Sequence, residues 1–219
     1  MAVKDAFAPL VDLIYPPRCP LCGDAIAAQS GLCTPCWSTL EIPAQDSAQD
    51  SDGVAAATIY NDTARQLVLN FKHGRKIALA PMMARQIASR LGELEGEWLA
   101  VPVPLHRIRL WQRGFNQSAL IARELCKVTK ARLLVDALLR PRRTPSLGGL
   151  GRAERARVLD GAIVPNPARI KRLAGARILL VDDVLTSGAT TDACKVALRQ
   201  AGAAQIRIAC FSRVGEGHQ

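Results

Sequence analysis

The segment 178–191 places the tightest constraint on how this chain folds. It begins with an unbroken apolar run, Ile178-Leu-Leu-Val181, which favours a strand buried on both faces of a parallel sheet. Asp182 and Asp183 follow, and after them come small and hydroxylated residues that can open a helix. A buried strand that leads into a helix at two carboxylates predicts an α/β fold with a ligand site at the carboxyl end of that strand.

The two halves of this segment suit different parts of one ligand. Backbone N–H groups at the start of a helix bind phosphate, and hydroxyl side chains can donate further hydrogen bonds. The predicted phosphate-binding residues are Thr186, Ser187, Gly188, Ala189 and Thr190. Asp182 and Asp183 would repel a phosphate, but each carboxylate can accept hydrogen bonds from sugar hydroxyls. A ribose 5-phosphate group satisfies both halves.

Two other interpretations of the segment compete with this one. The Mg²⁺-binding strand of P-loop ATPases would require a G-x-x-x-x-G-K-[ST] segment, which this chain does not contain. An ordinary strand, turn and helix with solvated aspartates is the other alternative. The segment resembles the phosphoribosyl diphosphate (PRPP) signature of type I phosphoribosyltransferases. That resemblance implies that the acidic pair contacts the ribose hydroxyls and that the following loop holds the 5-phosphate.

Positive charge is concentrated in the middle of the chain. Residues 101–177 contain 17 Lys and Arg against 4 Asp and Glu, whereas residues 1–100 contain 8 against 11 and residues 178–219 contain 4 against 4. The overall excess of +10 therefore comes from the middle third. This distribution predicts an anionic partner such as pyrophosphate, a nucleotide or nucleic acid, although a merely solvated basic face is the alternative.

Four of the seven cysteines form two C-x-x-C pairs, at Cys19 and Cys22 and at Cys33 and Cys36. This spacing lets two thiolate pairs hold one tetrahedral Zn²⁺, and four protein ligands leave no open position, so the metal is predicted to be structural. No apolar run is long enough to span a membrane, and Asp5 and Asp12 interrupt any signal-peptide core. We therefore expect a cytoplasmic protein without membrane insertion, whose cysteines bind metal rather than form disulfides.

The pattern of apolar residues predicts three regions. Residues 1–42 hold a short amphipathic helix at 5–15 and the zinc module, the polar residues 43–53 form a linker, and residues 54–219 form the α/β domain. Within that domain we expect strands at 54–60, 98–103 and 133–139, and helices at 62–71, 76–91 and 116–130.

A second group of candidate ligand-binding residues follows the strand at 98–103. Val101-Pro-Val-Pro104 stiffens the strand end, and Arg107, Arg109 and Arg113 are predicted to lie in one short loop where they bind phosphate oxygens. Pairing of these arginines with helix carbonyls and acids is the structural alternative. Lys72 is a further candidate phosphate contact, whereas His73 has no metal-binding partner nearby in sequence. The basic, glycine-rich stretch that starts at Arg140 is predicted to be a mobile lid.

With these parts placed, the whole chain resembles the ComF-like proteins, which are linked to bacterial competence and DNA uptake. The resemblance rests on the cysteine module, Phe71-Lys72 with Gly74, Val101 to Pro104, Arg113-Gly-Phe-Asn-Gln117, Thr144 with Glu154-Arg155, and Val181 to Thr190. It implies that Val103 and Pro104 belong to a pyrophosphate loop at 103–107 and that residues 140–157 form a flexible loop.

These features together predict a type I phosphoribosyltransferase-like parallel sheet flanked by helices, with a small amino-terminal four-cysteine zinc module. We expect Asp182 and Asp183 to hold the ribose of PRPP while Mg²⁺ and the region of Arg107 and Arg113 stabilise the departing pyrophosphate. The phosphoribosyl group would then pass to a nitrogen acceptor that the sequence does not identify.

Two alternatives to this enzyme remain open. Leu147 and Val158 stand where the ComF pattern has Gln and Asn, and the loss of these hydrogen-bonding groups favours a PRPP or nucleotide sensor that does not catalyse transfer. The basic middle third favours a factor that handles single-stranded DNA, alone or with DNA-uptake proteins. Only Trp111 and Phe115 offer stacking platforms among those basic residues.

Overall fold

The computed structural model describes residues 16–27, 31–44, 53–73, 76–144 and 151–215. The helix predicted at 5–15 and most of the predicted linker at 43–53 lie outside these residues. Gly74, Leu147 and the glycine-rich centre of the predicted lid also lie outside them.

A five-stranded parallel sheet forms the centre of the molecule, with strand order β1-β7-β6-β2-β3. A separate antiparallel pair, β4 with β5, lies beside it. The strands are β1 (Val54–Ile59), β2 (Trp98–Pro102), β3 (Arg132–Leu133), β4 (Leu138–Leu139), β5 (Val164–Pro165), β6 (Arg177–Leu185) and β7 (Gln205–Arg213). The predicted parallel sheet flanked by helices is thereby confirmed.

The helices connect successive strands, as parallel pairing requires. They are α1 (Thr34–Ser38), α2 (Asp62–Lys72), α3 (Ala80–Leu91), α4 (Arg107–Arg113), α5 (Gln117–Val128), α6 (Arg152–Leu159), α7 (Ile170–Leu173) and α8 (Ala189–Gln200), with 3₁₀ turns at Ile77–Leu79 and Pro167–Arg169. None of the helices within the described residues has both the length and the apolar character needed to cross a bilayer.

Strand β6 is the central strand that the sequence predicts. It pairs with β7 on one side and with β2 on the other, and residues 178–181 are fully buried. Apolar side chains cover both faces of the sheet: Phe71, Met83 and Ile121 lie in one cluster, and Leu173 and Leu198 lie in the other. Because the sheet is covered on both faces, the polar residues that end β6 lie at the open edge formed by the carboxyl ends of the strands.

The three arginines predicted to lie in a loop belong instead to helix α4. His106 begins this helix, because its Nδ1 atom accepts a hydrogen bond from the backbone N–H of Ile108 at 3.3 Å. Gly114 ends it with φ = 79°, a left-handed conformation that glycine adopts without steric cost. The prediction was wrong because a polar side-chain cap and a terminal glycine allow a helix even without an apolar stripe.

The strand predicted at 133–139 is two short strands. Strand β3 pairs in parallel with β2, whereas β4 pairs with β5 in antiparallel orientation, and a turn at residues 135–136 separates them. The predicted flexible loop at 140–157 is also partly helical, since α6 begins at Arg152. In both cases tertiary pairing decides a boundary that local composition does not reveal.

The described part of the amino-terminal module packs on helix α2 and strand β1. Leu40 is buried in the same apolar cluster as Phe71, and the backbone N–H of Ile59 donates to the carbonyl of Glu41 at 2.8 Å. The carbonyl of Pro20, which lies between Cys19 and Cys22, accepts hydrogen bonds from Asn70 Nδ2 at 3.0 Å and Lys76 Nζ at 2.9 Å. The module therefore contacts the chain on both sides of Lys72.

Candidate functional site

The two aspartates at the end of β6 lie in a network of polar contacts. Lys72, at the end of α2, places its Nζ atom 3.0 Å from Oδ2 of Asp183. Ser118, in the first turn of α5, donates from its hydroxyl to Oδ1 of Asp182 at 3.0 Å. The same oxygen accepts a hydrogen bond from the backbone N–H of Asp183 at 2.8 Å. The fold thus brings Lys72 and the acidic pair together, as the sequence predicts for one ligand site.

The acidic pair has an unusual electrostatic environment. Burial raises the pKa of Asp182 to about 7, and the charge of Asp183 acts in the same direction. The hydrogen bonds from Asp183 and Ser118 and the charge of Lys72 oppose this increase. A ligand that donates hydrogen bonds or carries a cation would stabilise the ionised form of this carboxyl group, which the buried site disfavours.

The residues predicted to bind phosphate connect β6 to α8. Gly188 caps α8 with φ = 78°, and its carbonyl accepts a hydrogen bond from the Thr191 hydroxyl at 2.7 Å. The hydroxyls of Thr186, Ser187 and Thr190 have no hydrogen-bond partner within the described residues, and all three side chains have some exposure. The start of α8 therefore presents backbone N–H groups together with available hydroxyls.

The end of β2 lies directly beside the end of β6. The backbone N–H of Val103 donates to the carbonyl of Val181 at 2.9 Å, and its own carbonyl accepts from Asn116 Nδ2 at 3.0 Å. Asn116 also caps α5 by accepting from the N–H of Ala119. Val103 and Pro104 are consequently held in a fixed position next to the acidic pair.

The segment Arg113 to Gln117 is ordered by contacts of different kinds. The Arg113 Nη1 atom donates to Oε1 of Gln117 at 3.1 Å, and the Phe115 ring lies 6.0 Å from the ring of Phe71. Burial lowers the pKa of Arg113, and the nearby charge of Asp183 partly offsets this effect. The contact between Phe115 and Phe71, which directly precedes Lys72, places this segment beside the acidic pair.

Not every predicted residue joins this site. Arg107 is exposed in the first turn of α4, and no hydrogen bond or ion pair within the described residues connects it to the acidic pair. Conversely, sequence reasoning missed Ser118, and it missed Gln117 as a ligand candidate. Gln117 is 2% exposed, and its Nε2 atom has no hydrogen-bond partner in the described part of the chain. The sequence signal for Gln117 was its position directly after Asn116, which caps helix α5.

The four predicted zinc ligands lie together. The sulfur atoms of Cys19, Cys22, Cys33 and Cys36 are all within 4.8 Å of one another. Burial alone would raise the pKa of Cys19, but hydrogen bonds from the backbone of Cys22, Cys33 and Leu21 lower it to about 6. A cluster of four sulfurs that includes a stabilised thiolate fits a closed, structural Zn²⁺ site.

Fold and site together define a phosphoribosyltransferase-like α/β domain that carries an amino-terminal four-cysteine zinc ribbon. Residues 147–219 match the phosphoribosyl transferase domain, and residues 10–48 match the double zinc ribbon domain. The first match contains β6, the acidic pair and the loop that opens α8.

The chain is homologous to proteins named for competence and DNA utilization, as the resemblance to the ComF family predicts. It is 29% identical over 134 residues to competence protein F of Haemophilus influenzae, covering 61% of this chain and 58% of that protein. It is also 29% identical over 202 residues to the DNA utilization protein YhgH of Escherichia coli K12, covering 89% of this chain and 83% of that one.

Similarity to solved structures is weak. The structure of an allosteric regulatory enzyme of purine biosynthesis aligns with a TM-score of 0.38 and 18% identity, covering 60% of this chain and 25% of that one. A similarity at this level supports no conclusion about activity.

Proposed function

We propose that this chain binds PRPP and transfers its phosphoribosyl group to a nitrogen acceptor, releasing pyrophosphate. The observation that carries the proposal is the position of the acidic pair. Asp183 pairs with Lys72, and the acidic pair is followed within three residues by the available N–H and hydroxyl groups of residues 186–190. Carboxylates suit ribose hydroxyls, and the start of α8 suits the 5-phosphate. The phosphoribosyl transferase match over 147–219 supports the same assignment.

In this proposal, each part of the site has a separate role. Asp182 and Asp183 orient the ribose, Thr186 to Thr190 bind the 5-phosphate, and Val103, Pro104 and Arg113 face the pyrophosphate. The lone pair of the acceptor nitrogen forms a bond to C1 of the ribose while the C1–O bond to pyrophosphate breaks. Pyrophosphate leaves with the electron pair of that bond, and the acceptor nitrogen loses its proton to solvent.

The chain also has the donor set for the metal ion that such a reaction uses. Carboxylate oxygens are the protein ligands that Mg²⁺ prefers, and Asp182 and Asp183 supply them beside the proposed pyrophosphate position. Bound Mg²⁺ would neutralise charge that develops on the departing pyrophosphate. Lys72 and Arg113 supply positive charge from the protein itself and bias the site toward an anionic substrate.

The proposal also covers the domain boundaries, the cellular location and the biological role of the protein. We assign residues 54–219 to the phosphoribosyltransferase-like domain, residues 1–42 to the zinc module and residues 43–53 to a linker. A cytoplasmic location is part of the same proposal, because four zinc thiolates require a reducing compartment. The relatives named for competence and DNA utilization support a role in the uptake or use of DNA.

An assay with isotope-labelled PRPP separates transfer from simple binding. Zinc-loaded, full-length protein is incubated with PRPP, Mg²⁺ and a panel of bases, amines and ammonia, and the release of pyrophosphate is measured. We expect at least one acceptor to accelerate release over the rate with water alone. Binding of PRPP without acceptor-stimulated release would identify a sensor instead.

Handling of single-stranded DNA is a second candidate function, and one observation favours it. Trp111 is 85% exposed, and it lies on α4 with Arg107, Arg109 and Arg113. An exposed aromatic ring among arginines can stack on a base while the cations contact phosphates. The two functions are compatible, because Trp111 is exposed whereas the acidic pair is largely enclosed.

A further inference from the structure

A small cavity lies between helix α4 and the segment that follows β4. It has a volume of about 120 Å³, and its polar lining residues are His106, Arg109, Gln112, Arg140, Arg143 and Thr144. This space is larger than a single water molecule needs. One phosphate or carboxylate group with its hydrogen-bond donors fits such a volume. We call this cavity the arginine pocket.

Arg140 is the central residue of the arginine pocket. It is only 7% exposed, and its Nη2 atom donates to the Thr144 hydroxyl at 2.6 Å. Its Nε atom is buried and has no hydrogen-bond partner among the residues that the structure describes. No carboxylate within the described residues forms an ion pair with it. A guanidinium remains charged under any physiological condition, and burying one without an anion is energetically unfavourable.

The surroundings of Arg140 add positive charge. Burial lowers the pKa of Arg140 and the charge of Arg109 lowers it further, while Cys194 and Asp182 act in the opposite direction. Arg143 is an exposed residue that also lines the pocket, and none of the described residues that line the cavity is acidic. Three arginines therefore converge on one small space without an acidic side chain in its lining, and such a space suits an anion.

The pocket is next to the proposed PRPP site but is distinct from it. His106 lines the pocket and lies three residues after Val103, whose backbone N–H donates to the carbonyl of Val181 directly before the acidic pair, so a ligand in the pocket lies near Asp182 and Asp183. Arg113, by contrast, donates a hydrogen bond to Gln117 and does not line the cavity. Helix α4 thus directs Arg113 to the PRPP side and directs Arg109 and Gln112 to the arginine pocket.

We infer that the arginine pocket binds an oxyanion, phosphate or carboxylate, that is carried by the acceptor molecule rather than by PRPP. This inference rests on the proposed function and narrows its substrate class, because the acceptor is then an anionic compound with a nucleophilic nitrogen. In the proposed function, the 5-phosphate of PRPP lies at the start of α8 and its pyrophosphate faces Val103, Pro104 and Arg113, none of which lines the arginine pocket. The oxyanion in the arginine pocket would hold the acceptor with its nitrogen toward the ribose.

Inorganic phosphate is the probe that tests the pocket directly. Calorimetric titration of phosphate into zinc-loaded protein is carried out with and without saturating PRPP and Mg²⁺. Saturating PRPP fills the 5-phosphate position, so the remaining phosphate binding reports on the arginine pocket. We expect this binding to persist in the presence of PRPP and to weaken about tenfold in Arg143→Gln, as the loss of a charge-assisted hydrogen bond predicts.

Three variants make the test specific. Arg143 is exposed, so Arg143→Gln is expected to fold even if Arg140→Gln does not. Both changes should weaken phosphate binding while PRPP affinity stays within about twofold, since a removed contact affects only the ligand that makes it. Arg65→Gln, at an exposed position of α2, is the matched control and should change neither affinity.

Competition between phosphate and PRPP for the pocket would overturn the assignment to the acceptor. Phosphate binding that is absent, or that is unchanged in Arg140→Gln and Arg143→Gln, would overturn the pocket itself. A failure of the proposed function has a different signature, because PRPP would then not bind to folded wild-type protein. The effect of the two variants on phosphate binding without PRPP can still be measured in that case.

Discussion

The Nζ atom of Lys72 lies 3.0 Å from Oδ2 of Asp183, and this ion pair joins the end of helix α2 to the end of strand β6. The side chains of Lys72 and Asp183 are 21% and 10% exposed, so both charges are largely shielded from water. Lys72 offsets one of two adjacent carboxylates at a site proposed to receive an anionic sugar phosphate. The packing of α2 therefore affects the net charge of the proposed binding site, because it positions Lys72 beside Asp183.

Replacing Lys72 by methionine should weaken PRPP binding about tenfold. Without the ammonium group, both carboxylates repel the phosphates of PRPP, and a charge-assisted contact is worth about 1.5–3 kcal/mol. Calorimetry of PRPP with Mg²⁺ measures the change. Lys171→Met, at an exposed position of α7, is the matched control. Equal affinity in Lys72→Met and wild type would mean that Lys72 has only a structural role.

Replacing Asp182 by asparagine should stabilise the free protein near neutral pH. The pKa of this carboxyl is raised from 3.8 to about 7, so the folded chain binds the proton more tightly than the unfolded chain does. Stability contributed by the proton is complete below about pH 4 and is lost as pH rises toward about 7. We expect Asp182→Asn to be about 1–2 kcal/mol more stable than wild type at about pH 8, with a smaller difference near pH 5.

Denaturant unfolding across that pH range, without PRPP or Mg²⁺, checks this expectation. Asp136→Asn is a suitable comparison, because Asp136 is paired with Arg169 at 2.9 Å and that ion pair lowers its pKa. It should show the opposite sign, with stability lost on substitution. A pH-independent difference for Asp182→Asn would contradict the electrostatic explanation.

Replacing Cys22 by serine should remove zinc and destabilise the chain. The carbonyl of Pro20, inside the first C-x-x-C pair, accepts hydrogen bonds from Asn70 and Lys76, so an ordered module supports the end of α2. We expect the thermal midpoint to fall by about 10 °C, which corresponds to roughly 3 kcal/mol for a chain of this size. Elemental analysis should give about one zinc per wild-type chain and little in the variant.

Cys126→Ser is the matched control for the zinc site. Cys126 is a partly buried free thiol on α5 that lies outside the four-sulfur cluster. Its substitution should leave the zinc content unchanged. Zinc retained in full by Cys22→Ser would show that Cys22 is not a ligand.

Replacing Trp111 by alanine should weaken binding to single-stranded DNA about tenfold. Stacking of one base on an aromatic ring contributes about 1–3 kcal/mol, and the 85% exposed ring of Trp111 is accessible to a strand. Fluorescence anisotropy with a labelled oligonucleotide at several salt concentrations measures the change. Ile77→Ala removes an exposed side chain elsewhere and is the control. Binding that does not depend on salt would argue against contacts with the phosphates.

The sequence predicted the residues whose roles depend on local geometry. The apolar run before Asp182 and Asp183 identified the central strand, because a strand buried on both faces favours that composition. The two C-x-x-C pairs identified the four sulfurs for a similar reason, since their spacing is set by the geometry of the metal. The cap at Asn116 was likewise visible, because a side-chain cap acts within three residues.

The residues that sequence reasoning missed act over long distances. Ser118 contacts Asp182 only because α5 packs beside β6, and the two residues are 64 positions apart. Arg140 appeared to be one of several cations in a basic loop, and its burial depends on packing that its neighbours in sequence do not reveal. Arg107 lies at an exposed position at the start of α4, and its role at the pyrophosphate stays a prediction.

Calorimetric titration of PRPP and Mg²⁺ into zinc-loaded wild-type protein and its Asp183→Asn variant tests the central claim most directly. Asp62→Asn, which changes an exposed aspartate at the other end of α2, serves as the control. We predict that wild type and control bind PRPP alike. Asp183→Asn should bind at least about tenfold more weakly, because it loses charge-assisted bonds to the ribose. Absence of PRPP binding in folded wild-type protein, or equal binding by Asp183→Asn, would contradict the assignment of this site.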